Sequence, residues 1–174
     1  MSSSLIGPAQ IAAALLLLQR GLEELYSQFN TRHLLAKGAL EAGRDFYPVV
    51  AVTHLAWIAS LLLLISPAAE VSWIPLACYL LLQVARYWVI GTLGRYWTHR
   101  IITLPGAPVV VRGPYRYVSH PNYVVTIMET ILLPACFGAI ALGCIMGAVW
   151  AAVLIYKIRL EDAALTERRV RTHP

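Results

Sequence analysis

The chain has 174 residues, 59% of them hydrophobic and only 13% charged, with a mean hydropathy of +0.64 and a net charge of +5. A soluble domain carries about 25% charged residues, so a water-facing surface around a buried core is excluded and the bilayer is the expected solvent. The positive balance reads as a report of membrane orientation rather than as a nucleic-acid footprint, and no nucleic-acid partner is expected.

A spanning helix needs ~20 mainly apolar residues. The first expected helix covers 5–25, with an amphipathic end at Glu23, Glu24 and Tyr26. It lacks a basic leader, and Gln19-Arg20-Gly21-Leu22 offers no small-residue cleavage site, so it reads as a retained membrane helix. The second helix is expected over 47–65, stopping at Ser66-Pro67, and the third over 73–93. The loop 94–122 is the least helical part: it holds Pro105, Gly106, Pro108, Gly113, Pro114 and Pro121, with a short extended stretch at 108–112. The apolar region 123–158 is too long for one span, and Pro134 and Gly138 mark a turn inside it. It divides into a short helix ending near Phe137 and a longer helix over 139–167. The expected fold is thus all-α, one membrane domain of about five transmembrane helices, the last two a hairpin. Residues 1–93 supply three helices on the substrate side, and 94–174 the cofactor side.

The charges orient this map. Arg20, Arg32, Lys37 and Arg44 fall between helices one and two; Arg95, Arg100, Arg112 and Arg116 between helices three and four; Lys157, Arg159, Arg168, Arg169 and Arg171 at the end. With five helices all three basic regions share one side, which the positive-inside rule makes cytoplasmic, with the N-terminus outside. Cys78, Cys136 and Cys144 sit in apolar runs, match no metal or disulfide spacing and read as small buried hydrophobes; no metal is expected.

Three ionisable residues fall at membrane depth: His54, Arg86 and Glu129. Such residues are costly in lipid and are functional candidates by default. Arg86 and Glu129 are placed to pair across helices three and four, either as a functional pair or as a structural pair that sets register. His54 reads as a satisfied structural histidine. The densest polar run is Gly113-Pro114-Tyr115-Arg116-Tyr117-Val118-Ser119-His120-Pro121-Asn122-Tyr123. Pro121 favours a helix start, and a helix N-terminus attracts anionic groups; an interfacial aromatic and basic belt is the plainer alternative. Lys157-Ile158-Arg159-Leu160-Glu161-Asp162, followed by Leu165 and Glu167, forms a second constellation, whose plain alternative is a salt-bridged helix end with Lys157 and Glu161 in contact.

Together these runs resemble the isoprenylcysteine carboxyl methyltransferase superfamily, which also includes phospholipid N-methyltransferases. That family carries Gly-Pro-Tyr, then Arg-His-Pro-x-Tyr-x-Gly, a helical hairpin, and Arg-Ile-x-x-Glu-Glu-x-x-Leu. Gly113-Pro114-Tyr115, His120-Pro121-Asn122-Tyr123, and Lys157-Ile158 with Glu161-Asp162 and Leu165 follow the same order, and Trp97-Thr98-His99-Arg100-Ile101-Ile102 is also similar. The chain departs from the pattern at Ser119, Val125, Lys157 and Asp162, where the family has arginine, glycine, arginine and glutamate. Arg116 is the candidate substitute for the arginine lost at Ser119. Phe29-Asn30, Leu34, Gly38-Ala39-Leu40-Glu41-Ala42-Gly43 and Tyr47-Pro48 resemble a bacterial branch, some of whose members are associated with methylation of alkylpyrones or phenolic lipids.

The resemblance implies S-adenosyl-L-methionine bound at the cytoplasmic end of helices four and five, in a bacterial-type inner or plasma membrane. It implies Tyr115, His120, Pro121 and Tyr123 lining the pocket, with Glu161 and Asp162 holding polar groups. The methyl acceptor is expected to be a hydrophobic molecule from the bilayer, a prenylcysteine-type carboxylate or an alkylpyrone or phenolic-lipid hydroxyl. Arg100 or Arg116 would hold an anionic acceptor, and His120 or Glu129 would serve as base for a phenol. The competing readings are a phospholipid N-methyltransferase, a sterol-type NADPH reductase, and a non-enzymatic transporter or assembly subunit.

Overall fold

The computed structural model describes residues 6–107 and 109–172, with side chains through residue 165. Leu5 at the expected start of the first helix, Pro108, and the side chains of Glu167, Arg168, Arg169 and Arg171 lie outside the described residues. Five long helices run in chain order: α1 (Pro8–Ala36), α2 (Tyr47–Leu64), α3 (Trp73–Leu93), α4 (Pro121–Ala135) and α5 (Ile140–Thr172). The fold is all-α, as expected, with two three-residue strands, β1 (Leu40–Ala42) and β2 (Ile101–Thr103).

Helices α2 and α3 lie where apolar length placed them. Pro121 opens α4, where its missing N–H costs nothing. Gly138, at φ +74°, makes the turn into α5, so the last two helices form the expected hairpin. Their approach is close: a Cβ on Gly143 would lie 2.6 Å from the Ile131 carbonyl oxygen, and one on Gly147 2.7 Å from the Ile131 side chain. Small residues one turn apart let the two backbones meet.

Helix α1 corrects the sequence reading. It continues well past residue 25, and Arg20, assigned to a connector, lies buried at mid-helix. Arg20, Glu23, Ser27, Asn30, Thr31 and Leu34 are all buried and recur at helical spacing. The helix continues because this polar stripe faces protein partners rather than solvent. The extended stretch expected at 108–112 forms no strand at 109–111, while Arg112 has extended backbone angles, φ −134° and ψ 165°. The extended segment is β2, paired antiparallel with β1 through Leu40–Thr103, Glu41–Ile102 and Ala42–Ile101.

The β1–β2 pair joins the α1–α2 and α3–α4 connectors, and α5 packs against both strands, so the two connectors meet at one end of the bundle. At the opposite end the Ser72 N–H donates to the Cys136 carbonyl at 2.7 Å, and Gln10 donates to Ile65 at 2.9 Å. Among the described residues, three stretches are long and apolar enough to cross a bilayer: Arg44–Leu64, Trp73–Tyr96 and Ile140–Leu165. Helix α1, interrupted by buried charges, and the 15-residue α4 are not among them. The outer surface carries Leu55, Leu63, Ile74 and Leu81 exposed, as a lipid-facing bundle requires.

The expected Arg86–Glu129 pair is present at 3.1 Å, within a larger network. Arg86 grips Glu23 through Nε and Nη2 at 2.7 and 2.6 Å. Arg20 reaches Glu23 at 2.6 Å and Glu129 at 2.7 Å. Gln83 donates to the other Glu129 oxygen at 2.8 Å and accepts from Gln19. Two cations and two anions thus tie α1, α3 and α4 together with no net charge. Removing one member strands its partner in a buried site, so Arg86→Met is expected to cost about 3–5 kcal/mol, read as lost thermal stability in detergent. Gly143→Leu should cost ~1–3 kcal/mol by forcing α4 from α5, in the same assay.

Candidate functional site

The site is built where the 94–120 connector meets the starts of α4 and the end of α5. Glycine is required at 113, which has φ +55° and where a Cβ would fall 2.7 Å from Thr92 Oγ1. That close contact seats the Gly113–Arg116 turn on α3 and presents Tyr115 to a cavity. The other half of the connector is clamped by the polar stripe of α1. Asn30 donates to the Gly94 and Trp97 carbonyls at 3.2 and 2.8 Å, and Ser27 Oγ accepts the His99 N–H at 2.8 Å. The Lys157 ammonium donates to the His99 carbonyl at 2.8 Å, so α5 holds the same loop from the other side.

The cavity has a volume of about 260 Å³, near the lower end of the ~300–1,000 Å³ usual for small-molecule sites. Tyr115, His120, Tyr123 and Glu161, four of the expected cofactor residues, all line it, as does Arg100. Tyr123 donates its hydroxyl to Glu161 Oε1, and His120 Nδ1 lies 3.2 Å from Glu161 Oε2. One carboxylate therefore joins residues of two motifs far apart in sequence. The His120 and Tyr123 rings stack with centroids 5.3 Å apart and planes 4° from parallel. The Lys157 ammonium sits 5.2 Å from the Tyr123 ring centre, a cation–π arrangement.

The electrostatics follow from these contacts. The hydrogen bond to Glu161 raises the His120 pKa above its ordinary value, burial opposes this, and the charges of Glu161 and Asp162 add to the rise. Burial pushes the Tyr115 phenol up, and the Glu161 charge pushes it further, so it remains a neutral donor. The Glu161 contact thus favours the protonated form of the His120 ring.

The remaining expected residues are placed differently. Pro121 is buried at the first position of α4. Asp162 is exposed, one residue past Glu161, and does not line the cavity. Arg116 is exposed and off the cavity, so it does not stand in for the arginine replaced by Ser119, which is itself on the wall. Glu129 is held by Arg20 and Arg86 in the buried network rather than on the cavity, which corrects its pairing with His120 as an alternative base. Arg100 is held by Glu41 at 3.1 Å and lies over the Tyr47 ring at 4.8 Å. Lys157 donates to the His99 carbonyl, and its charge and that of Glu161 still act on each other at the expected i,i+4 spacing.

Sequence reasoning gave no role to Asn122 or Trp97, which also line the cavity. Asn122 Oδ1 is buried without a partner among the described residues, an orphaned acceptor suited to a ligand's N–H or O–H. Its place inside His-Pro-Asn-Tyr was the available signal. A stacked aromatic pair, a carboxylate and an open amide oxygen together give the cavity the means to hold a polar small molecule.

Residues 73–167, which contain this whole cavity wall, match the model of the isoprenylcysteine carboxyl methyltransferase family. The chain is 35% identical over 162 residues to an uncharacterized protein of Bacillus subtilis, YpbQ, covering 91% of this chain and 96% of that one. It is 24% identical over 142 residues to an uncharacterized protein of Haemophilus influenzae, covering 79% of this chain and 83% of the other. No solved structure matches it. Family match, motif order and the assembled cavity agree: the chain belongs to the isoprenylcysteine carboxyl methyltransferase family.

Proposed function

We propose that the chain is an S-adenosylmethionine-dependent O-methyltransferase of the bacterial inner membrane that acts on a hydrophobic acceptor at the cytoplasmic face. The observation that carries this reading is the single carboxylate of Glu161, bonded to both Tyr123 and His120 on the wall of one cavity. Family membership supports methyl transfer in general.

The cofactor would supply an electrophilic methyl group. Tyr115, His120, Asn122, Tyr123 and Glu161 are the residues that would hold it, with Pro121 fixing the start of α4 beneath and Asp162 adding negative charge beside them. Methyl transfer is an in-line displacement, so the contribution required of the protein is orientation and exclusion of water. The stacked His120–Tyr123 pair and the Lys157-anchored loop supply rigid walls for that purpose. Arg100 lines the cavity together with Lys157 and would face an anionic acceptor.

The acceptor in this reading is a lipid-like molecule with an oxygen nucleophile, a prenylcysteine-type carboxylate or an alkylpyrone or phenolic-lipid hydroxyl. Five helices crossing the bilayer, with the N-terminus outside, would put the basic end of the bundle and the cavity in the cytoplasm, where a water-soluble cofactor can enter. The gathering of both basic connectors around β1–β2 supports that orientation.

Calorimetry on detergent-solubilised protein is expected to show S-adenosylhomocysteine binding in the micromolar range; a folded protein that binds none would overturn the reading. Glu161→Gln should weaken that binding by about tenfold or more, since a hydrogen bond to a charged group contributes ~1.5–3 kcal/mol. The His120–Glu161 pair also makes a pH prediction. A His pKa raised by folding contributes stability that is full below the unfolded value of ~6.5 and is lost as pH rises through the folded value. The melting-temperature advantage of the native chain over His120→Asn should therefore be larger at acidic than at alkaline pH.

A further inference from the structure

Every polar atom of His99 but one is taken. Its N–H donates to Ser27 Oγ at 2.8 Å, its carbonyl accepts from the Lys157 ammonium at 2.8 Å, and its Nδ1 lies 2.7 Å from Glu24 Oε2. Glu24 is itself held, by Gln28 Nε2 at 2.9 Å and by the Tyr47 hydroxyl. The carboxylate only accepts, so Nδ1 carries the proton and the neutral ring keeps its lone pair on Nε2. That Nε2 is buried with no partner among the described residues. A free, buried lone pair on a ring fixed at its other polar atoms is the arrangement a general base requires.

His99 lies where two cavities approach each other. It lines a largely apolar crevice of about 240 Å³ between α1 and α2, together with Leu17 and Leu55. Both leucines are also exposed on the lipid-facing surface, so the crevice is open sideways. A narrow cleft shares Tyr47 and His99 with the crevice, and Arg100 and Lys157 with the polar cavity. Arg20 lines the crevice too. Its Nη atoms are bonded to Glu23 and Glu129, which balance its charge, while its Nε–H has no partner among the described residues. The crevice therefore offers an acceptor at His99 and a donor at Arg20. An oxygen that loses a proton and gains negative character needs both. His54 also has a buried Nε2 with no partner among the described residues, 6.5 Å away between ring centres, but its Nδ1 faces only the Val50 carbonyl. It lacks the carboxylate that would stabilise a ring gaining charge.

We infer that His99 is the general base of the methyl transfer and that Glu24 is the residue that positions it. The inference rests on the methyltransferase reading above. An acceptor hydroxyl at the His99 end of the crevice gives its proton to Nε2 as its oxygen attacks. The oxygen's electron pair forms the new O–CH3 bond, and the pair of the broken S–CH3 bond stays on sulfur, which becomes a neutral thioether. The imidazolium takes up the positive charge that the sulfonium gives away, beside the Glu24 carboxylate. Glu129 is held by two arginines off the polar cavity, and Glu161 favours the protonated form of His120, so neither offers a free lone pair in this way. Burial lowers the His99 pKa, the Glu24 bond and charge raise it, and the Arg86 and Lys157 charges lower it again; the net fall leaves the ring neutral at the start.

The test is labelled-methyl transfer from S-adenosylmethionine by the full chain in nanodiscs. The probes are a pentadecyl resorcinol, a pentadecyl nitrophenol that is ionised at neutral pH, and S-farnesylcysteine. His99→Asn keeps a donor to Glu24 and removes the lone pair. It is expected to slow transfer to the resorcinol ~10²–10⁴-fold, while transfer to the ionised nitrophenol and S-adenosylhomocysteine affinity stay close to native. The native rate on the resorcinol should fall as acid protonates His99. Glu24→Gln should move that fall to lower pH, because the Glu24 bond and charge raise the His99 pKa. A contact that only holds the loop in place would leave the position of that fall unchanged. Equal slowing of both phenols by His99→Asn, an unmoved pH profile in Glu24→Gln, or native transfer to S-farnesylcysteine alone, whose carboxylate arrives ionised, would each overturn the proposal. A native chain that binds no S-adenosylhomocysteine would instead overturn the methyltransferase reading itself.

Discussion

Four buried charges, Arg20, Glu23, Arg86 and Glu129, hold this bundle together. Each would be costly at membrane depth, and an unpaired one would be untenable. Their solution is a neutral set of short ion pairs extended by Gln19 and Gln83, with Arg20 Nε left without a partner among the described residues. Hydrophobic burial supplies little discrimination between helices when the solvent is itself apolar. A directional network that is satisfied in only one arrangement therefore sets how α1, α3 and α4 sit.

With α1 held in that register, the rest of its buried stripe meets the connector after α3. Glu24, Ser27 and Asn30 bond to His99 and to the carbonyls of Gly94 and Trp97. Lys157 of α5 closes on the same loop from the opposite side. A connector rich in glycine and proline is thereby given a single shape at the basic end of the bundle. Lys157, where the family pattern has arginine, here donates its ammonium to the His99 carbonyl.

The loop segment 97–101 then serves two cavities. Trp97, Thr98 and Arg100 line the one built by Tyr115, His120, Tyr123 and Glu161, while His99 lines the apolar crevice between α1 and α2. The two environments differ in polarity. One is polar and lies where α4 begins and α5 ends; the other is greasy and open to lipid.

Much of this was legible in the sequence. Apolar length placed α2 and α3, Pro134 and Gly138 marked the hairpin, and motif order brought Tyr115, His120, Tyr123 and Glu161 forward as one site. Local chemistry decides those features, since a helix boundary or a turn depends on residues a few positions apart. The extension of α1, the β1–β2 pair and the full charge network were not legible, because each depends on partners tens of residues away. Arg20 looks like a connector charge until Glu129 is beside it, and Glu129 looks like a spare base until two arginines hold it. By itself the sequence determined a basic-ended membrane bundle with a methyltransferase motif set, because composition, breakers and spacing are local properties. Only the tertiary structure decided which charges are structural and which residues face a ligand, because a side chain's role depends on the neighbours that satisfy it or leave it open.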